Sequence, residues 1–441
     1  NSSTSWSILI VSKKNLTRRQ FIKHSAALST AFAVPTIIPA SAMGASGSTA
    51  PSERITMGVI GSGAQGTSNM TGFLGFKDVQ MVAIADVDKA HREAAAAIVN
   101  DKYGNKDCAL YNDFRELNDR DDIDAVIVGT PDHWHVLNAI DAVKKGKDAY
   151  VQKPLAWSVE EGRALCDAVT KHGRVLQTGS QQRSAKQFRR ACELVRSGRI
   201  GTLKYINVGI PGNNKTCEPT WSPEPVPEGF DYDLWLGPAP WEEYHHQRCH
   251  YQFRFLLDYS GGQVTNFGAH NLDIAQWGLG MDDSGPVQVS GNGIFPESGL
   301  FTTATKTYFE CKYANGVELV CKTGNFGMTF EGTEGTIYVD RKRIVTTPDS
   351  ILKEDLGEND VHLYESSNHY RNFADCVKSR KDPICTAEIG HRSSTVCNLG
   401  NIAMRLGRTL DWDPAAERFV NDDEANTYLG RDMRGDWSLE A

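Results

Sequence analysis

The stretch Ile55-Thr-Met-Gly-Val-Ile-Gly-Ser-Gly-Ala-Gln-Gly66 decides the fold. Ile55 to Ile60 form a mostly apolar run of strand length, and glycines follow at 61, 63 and 66 in G-x-G-x-x-G spacing. Glycine permits a tight turn and close approach of the backbone to a pyrophosphate. The helix behind it offers free N–H groups and the positive end of its dipole. Alone the spacing is weak, because glycine turns between strands and helices are common. Its context strengthens it: a second apolar run ends in Val82-Ala-Ile-Ala-Asp-Val-Asp88, placing Asp86 about twenty residues beyond the third glycine, where an acid meets a ribose 2′-hydroxyl. The expected dinucleotide contacts are Gly61, Gly63, Ala64, Gln65, Gly66 and Asp86. Asp88 stands close by with no arginine directly after it, so a 2′-phosphate would face two carboxylates. NAD is therefore expected over NADP.

Downstream the pattern repeats to about Gln177. Short apolar runs (VQMVAIA, DAVIVGT, DAYVQ, RVLQTG) alternate with helical stretches such as HREAAAAIVNDKYG and HVLNAIDAVKKG. Near-continuous apolar strands between helices predict a doubly wound parallel sheet covered on both faces. After Gly179 the rhythm changes. A helix, a strand and a long Pro- and Trp-rich stretch precede longer strands with hairpin turns, from Pro286 to about Val345. These predict a second, mainly antiparallel sheet with helices, and helical patterns return after Asn368. The fold class is α/β followed by α+β. The expected divisions are 1–42, 43–178, 179–370 and 371–441, the last packing back on the domains.

Upstream, the leader has a basic head containing Arg18-Arg19, an apolar middle from Ala26 to Pro39, and the small-residue end Ala40-Ser41-Ala42. That is the order of a secretory signal. The arginine pair in TRRQFIK resembles a twin-arginine signal, so export in the folded state to the periplasm is expected, with the twin-arginine machinery as partner. The chain has 441 residues and a net charge of −8. Five of its basic residues lie in the leader, so the remainder is more acidic still, which disfavours nucleic acid and anionic membrane surfaces. The ten cysteines are scattered, unlike a small disulfide framework. Asn315-Gly316 predicts a two-residue hairpin turn that would set Cys311 opposite Val320 and Cys321 opposite Glu310, on opposite faces and unable to bond. Cys376 with Cys385 is a candidate bridge.

Several motifs follow predicted strands, at the sheet edge where ligands bind in such folds. GTPDHWH contributes Thr130, Pro131, His133 and His135 to the cofactor side. YVQKPLAWS contributes Gln152 and Lys153, with Lys153 placed to reach a substrate oxygen. GSQQRS places Arg183 near the cleft as a substrate contact. In GGQVTNFGAHNLDIAQWGLG, a helix from about Val264 would align Asn266, His270, Asp273 and Trp277 on one face, with His270 a candidate general base. The loop EEYHHQRCH offers His245, His246, Cys249 and His250, which fit no standard metal spacing, so no metal is expected. Trp221, Trp235 and Trp241 lie in the long loop and suit either sugar rings or a core edge.

On these motifs the sequence resembles the Gfo/Idh/MocA oxidoreductases, a Rossmann domain followed by an open-faced sheet domain. The resemblance rests on Gly61, Gly63 and Gly66, on TPDHWH, on QKP where the family has EKP, on GGQVTNFGAHNLD, and on FEGTEGTIYV. It implies that Lys153 binds the reacting oxygen and His270 serves as acid/base, with Asn266 and Asp273 beside the substrate. Gln152 and Asn266 both replace family acids, moving more of the burden to Lys153 and His270. The resemblance further implies a carbohydrate or glycoside substrate oxidised at a secondary hydroxyl, and export of the folded chain to where little free NAD is present makes a tightly held, internally recycled NAD the expectation. Two alternatives stand beside it: redox-assisted glycoside hydrolysis, and a non-catalytic carbohydrate-binding or scaffold protein. A homo-oligomer is expected through the exposed face of the second sheet.

Overall fold

The computed structural model describes residues 50, 53–213 and 220–440. The expected export signal lies outside them. Six parallel strands form the first sheet: β1 (Ile55–Ile60), β2 (Val79–Ala85), β3 (Ala109–Tyr111), β4 (Ala125–Val128), β5 (Asp148–Val151) and β6 (Leu176–Thr178). Their order is β3-β2-β1-β4-β5-β6. The chain reverses direction across the sheet between β1 and β4, which opens a crevice at their carboxyl ends. Alternate residues feed two cores. Met57 and Val59 meet Phe73 and Tyr150 on one side, while Ile60, Val126 and Val128 meet Val136 and Leu165 on the other. β4 and β5 are buried along their whole length, which is why they read as unbroken apolar runs.

The second sheet has nine strands: β7 (Leu203–Ile210), β8 (Gln288–Gly291), β9 (Tyr308–Lys312), β10 (Glu318–Thr323), β11 (Gly327–Gly332), β12 (Thr336–Val339), β13 (Ile344–Thr347), β14 (Leu410–Asp413) and β15 (Arg418–Phe419). They run β13-β12-β11-β7-β10-β9-β8-β14-β15. β7 and β10 pair parallel; the other described pairings in this sheet are antiparallel. Buried residues alternate along β9, β10 and β12. The buried set packs with helices Lys186–Arg196, Ala269–Leu279 and Ala387–Leu406. β14 and β15 extend this sheet from beyond residue 371. The helix His369–Ser379 returns to the first domain, where Phe373 lies 5.8 Å from Phe73, ring to ring. Among the described residues no helix is long and apolar enough to cross a membrane.

The hairpin between β9 and β10 departs from expectation. Leu319, not Val320, sits opposite Cys311, and Phe309 opposite Cys321. Gly316 adopts φ +83° and its N–H donates to Tyr313 O at 2.9 Å, so the glycine adds a bulge after the turn. That one-residue change places both cysteines on the same, buried face. They are nevertheless free thiols, as are Cys376 and Cys385, which belong to different cores.

The long segment before the second sheet carries its own aromatic core of Phe230, Tyr232, Trp235, Phe253, Phe255 and Tyr259. It is tied to the rim of the first domain. Lys89 N–H donates to Gly229 O at 2.9 Å, and Asp231 N–H to Val87 O at 3.0 Å. Asn112 Nδ2 donates to Asp231 Oδ2 at 2.7 Å.

Candidate active site

A cavity of about 480 Å³ opens over the crevice at the carboxyl ends of β1, β2, β4 and β5, with the long segment and the second sheet closing its other walls. Its floor is the glycine turn. Gly61 has φ +81°; a Cβ on Gly66 would fall 1.9 Å from Gly61 O, and one on Gly129 2.7 Å from Gly66 Cα. Gly63, Ala64 and Gln65 line the cavity; Gly66 supports the turn from behind. No side chain caps the helix Ala64–Leu74 at Gly63, leaving its first N–H groups for an anion. Asp86 stands at the end of β2. Its Oδ2 accepts from Ser62 N at 2.6 Å and Ser62 Oγ at 3.1 Å, and Oδ1 accepts from Asp88 N at 2.9 Å. Burial pushes its pKa up, opposed by these bonds and by His91. A turn without room for Cβ, an uncapped helix and an acid after β2 fit a dinucleotide.

The opposite end of the cavity holds the reactive groups. Lys153 follows β5 and donates from Nζ to Asn266 Oδ1 at 3.3 Å. Burial pulls the Lys153 pKa down to about 8, resisted by Asp132 and reinforced by Arg254 and Arg341. His270 faces the same space. Burial, then Lys153 and Arg341, hold its pKa well below the usual value, so the ring is neutral at pH 7. His270 Nδ1 and Gln152 Oε1 are buried without a hydrogen-bond partner among the described residues. Asp132, absent from the sequence expectations, lines the cavity and accepts from Ser260 Oγ at 2.5 Å.

Two family models cover most of the chain: the oxidoreductase family NAD-binding Rossmann fold over residues 55–180, and the oxidoreductase family C-terminal alpha/beta domain over 213–439. The chain belongs to the Gfo/Idh/MocA oxidoreductase family. Its cofactor is NAD. Among Gfo/Idh/MocA-like relatives, an uncharacterized oxidoreductase of Bacillus subtilis, YrbE, is 22% identical over 80% of this chain and 96% of its own. An alpha-N-acetylgalactosaminidase of Shewanella oneidensis is 31% identical, but over 43% of this chain and 45% of its own, so the match spans under half of that relative. In fold, the chain is similar to the WlbA dehydrogenase of Bordetella pertussis, with a TM-score of 0.61, 16% identity and coverage of 82% of this chain and 99% of that one. It is also similar to aldose-aldose oxidoreductase of Caulobacter crescentus, with a TM-score of 0.60, 18% identity and coverage of 81% and 99%.

Within this Gfo/Idh/MocA cavity, Thr130, Pro131, His135, Gln152, Lys153, Asn266 and His270 line the wall. His135 holds the architecture: Nδ1 lies 2.7 Å from Pro154 O and Nε2 2.9 Å from Thr130 O, joining the two loops. Three expectations need correction. His133 points into the aromatic core, with Nε2 3.1 Å from Trp235 O. Arg183 and Asp273 do not line the cavity; they form a buried ion pair, Nε to the two carboxylate oxygens at 3.0 and 2.9 Å. Asp282 and Ser393 join them. The reason lies in the helix. Residues Val264–Gly268 form a π-turn, and every residue from Ala269 to Gly278 is buried. The cavity reaches only the first turn, at His270, and the deeper Asp273 meets the interior.

The loop EEYHHQRCH does not converge on one point. His245 and His246 surround Glu224, with ligand atoms within 4.8 Å of one another. Cys249 is buried in the aromatic core. His250 instead crosses to the Asp86 end of the cavity, its ring 4.8 Å from His91 and its Nε2 3.7 Å from Asp88 Oδ2. Trp235 lines the cavity, Trp241 is exposed, and Trp221 packs against Arg248. Among the missed lining residues, Asp132 sat inside a quoted motif whose histidines drew attention. Arg254 and Arg341 had no spacing signal at all.

Proposed function

We propose that this chain oxidises a secondary hydroxyl of a sugar or glycoside, with an NAD that stays bound and is reset within the same cycle. The observation that carries the reading is the half-buried Lys153 amine sharing with His270 a cavity floored by the glycine turn. When bound there, NAD supplies hydride transfer. Lys153, with a pKa near 8, is partly neutral around pH 7 and accepts the hydroxyl proton. Asn266 Oδ1 orients its ammonium form. His270 is neutral and lines the same cavity, where its ring shuttles the hydroxyl proton that Lys153 takes up.

The leader's basic, apolar and small-residue parts support export through the twin-arginine route to the periplasm. A retained cofactor suits that setting, because little free nucleotide is available there. The exposed face of the second sheet supports a homo-oligomer. A second reading, redox-assisted glycoside hydrolysis, draws on the match to the Shewanella oneidensis alpha-N-acetylgalactosaminidase. There, oxidation would acidify the neighbouring C–H, His270 would remove that proton as the glycosidic bond leaves, water would add, and the hydride would return.

The test is to purify the protein without added nucleotide, denature it and quantify NAD(H). Roughly one NAD(H) per chain, turnover without external NAD, and loss of turnover in Lys153→Met are expected. A chain that carries no nucleotide and has no affinity for one overturns the proposal. Oxidation of one sugar coupled to reduction of another separates the first reading from net release of an aglycone.

A further inference from the structure

We propose that the substrate bears a carboxylate, as in a uronic acid or its glycoside, and that Arg254 and Arg341 receive it. The proposal rests on the sugar-oxidoreductase reading and names its substrate class. Both arginines line the cavity with Lys153 and His270. Among the described residues, no carboxylate lies within 4.0 Å of either guanidinium, whereas Arg163, Arg183 and Arg431 are all ion-paired.

Each is held by neutral groups instead. Arg254 donates from Nη1 to Tyr251 O at 2.9 Å and lies over Tyr251 and Phe253, at 4.6 and 4.7 Å from the ring centroids. Arg341 donates from Nε to Gln182 Oε1 at 3.0 Å and lies 5.0 Å from the centroid of Phe326. Their orientations are set, while further N–H groups have no protein acceptor. Both act on the reacting end: each lowers the Lys153 pKa, and Asp132 is the carboxylate that raises it. The glycine turn and uncapped helix already provide for a pyrophosphate. Asp132 is the cavity carboxylate whose charge acts on Arg254, and none acts on Arg341, so Arg341 and the open edge of Arg254 are left for another anion. Stacking on aromatic faces leaves the guanidinium edges open, which suits a planar, edge-on carboxylate better than a phosphate.

The experiment is calorimetry on the protein as purified, with matched pairs: methyl glucoside and methyl glucuronide, methyl galactoside and methyl galacturonide, and glucose 6-phosphate as the phosphate arm. At least one acidic sugar is expected to bind about tenfold or more tightly than its neutral counterpart. The preference should shrink with salt, and fall about tenfold in Arg254→Gln and in Arg341→Gln, with circular dichroism and bound NAD(H) unchanged. Equal or absent binding across every pair, a stronger response to the phosphate, or a preference untouched by both variants overturns the proposal. So does loss of nucleotide in the variants, which would assign the arginines to the cofactor. Calorimetry needs no turnover, so acid-selective binding by an inactive protein would sink the catalytic reading alone.

Discussion

Lys153 shows what one half-buried residue costs and provides. Its pKa near 8 arises first from burial, so the folded chain favours the neutral amine. Oxidation is expected to speed up as pH rises through about 8, read from kcat against pH. Asp132 is the group that resists the shift, so Asp132→Asn should move that limb to lower pH. The same shift bears on stability. Below pH 8 the lysine is charged in both states and the burial penalty is full; between 8 and 10.5 the unfolded chain holds more protons, and stability rises. Lys153→Met should therefore raise the unfolding midpoint at pH 7 by about 1–3 °C, with the gain shrinking by pH 10. Lys153, His270 and Gly61 were legible because each sits at a fixed offset from a strand end or a glycine. Arg254 and Arg341 were not, because only the folding of distant segments brings them to the cavity.

At the scale of the element, the helix Ala269–Leu279 is positioned by what lies behind it. Arg183 and Asp273 are both buried and fasten this helix to the turn at Gln181–Ser184. Arg183→Met strands a buried carboxylate and should cost about 3–5 kcal/mol, measured by urea unfolding. Residual folded protein should keep its sugar preference, since neither residue touches the cavity. In the helix Ala64–Leu74, Gly66→Ala would press a methyl into Gly61 O; the purified variant should contain no NAD(H). Element types could be read from periodicity, and the parallel character of the first sheet from the alternation of strands and helices. A π-turn and a glycine bulge could not, because each shifts a register by local backbone geometry that leaves composition and pattern unchanged.

Across the whole molecule, the second domain meets the first through the helix Ala387–Leu406, which packs on the helix Val159–His172, and through the long aromatic segment, whose backbone pairs with the first domain at Val87 to Lys89. Asp231 secures this join by accepting from Asn112 Nδ2 and from Leu234 N. Asp231→Ala should speed nucleotide loss during dialysis while kcat per bound nucleotide holds steady. The two-sheet architecture was visible from the change in rhythm after Gly179. The path of this segment was not, because it lacks a repeating pattern. Its join gives the protein a history as well as a shape. On the proposal that the nucleotide is retained, chains refolded with NAD present should fill fully and chains offered NAD only after folding should fill more slowly, read as NAD(H) released on denaturation.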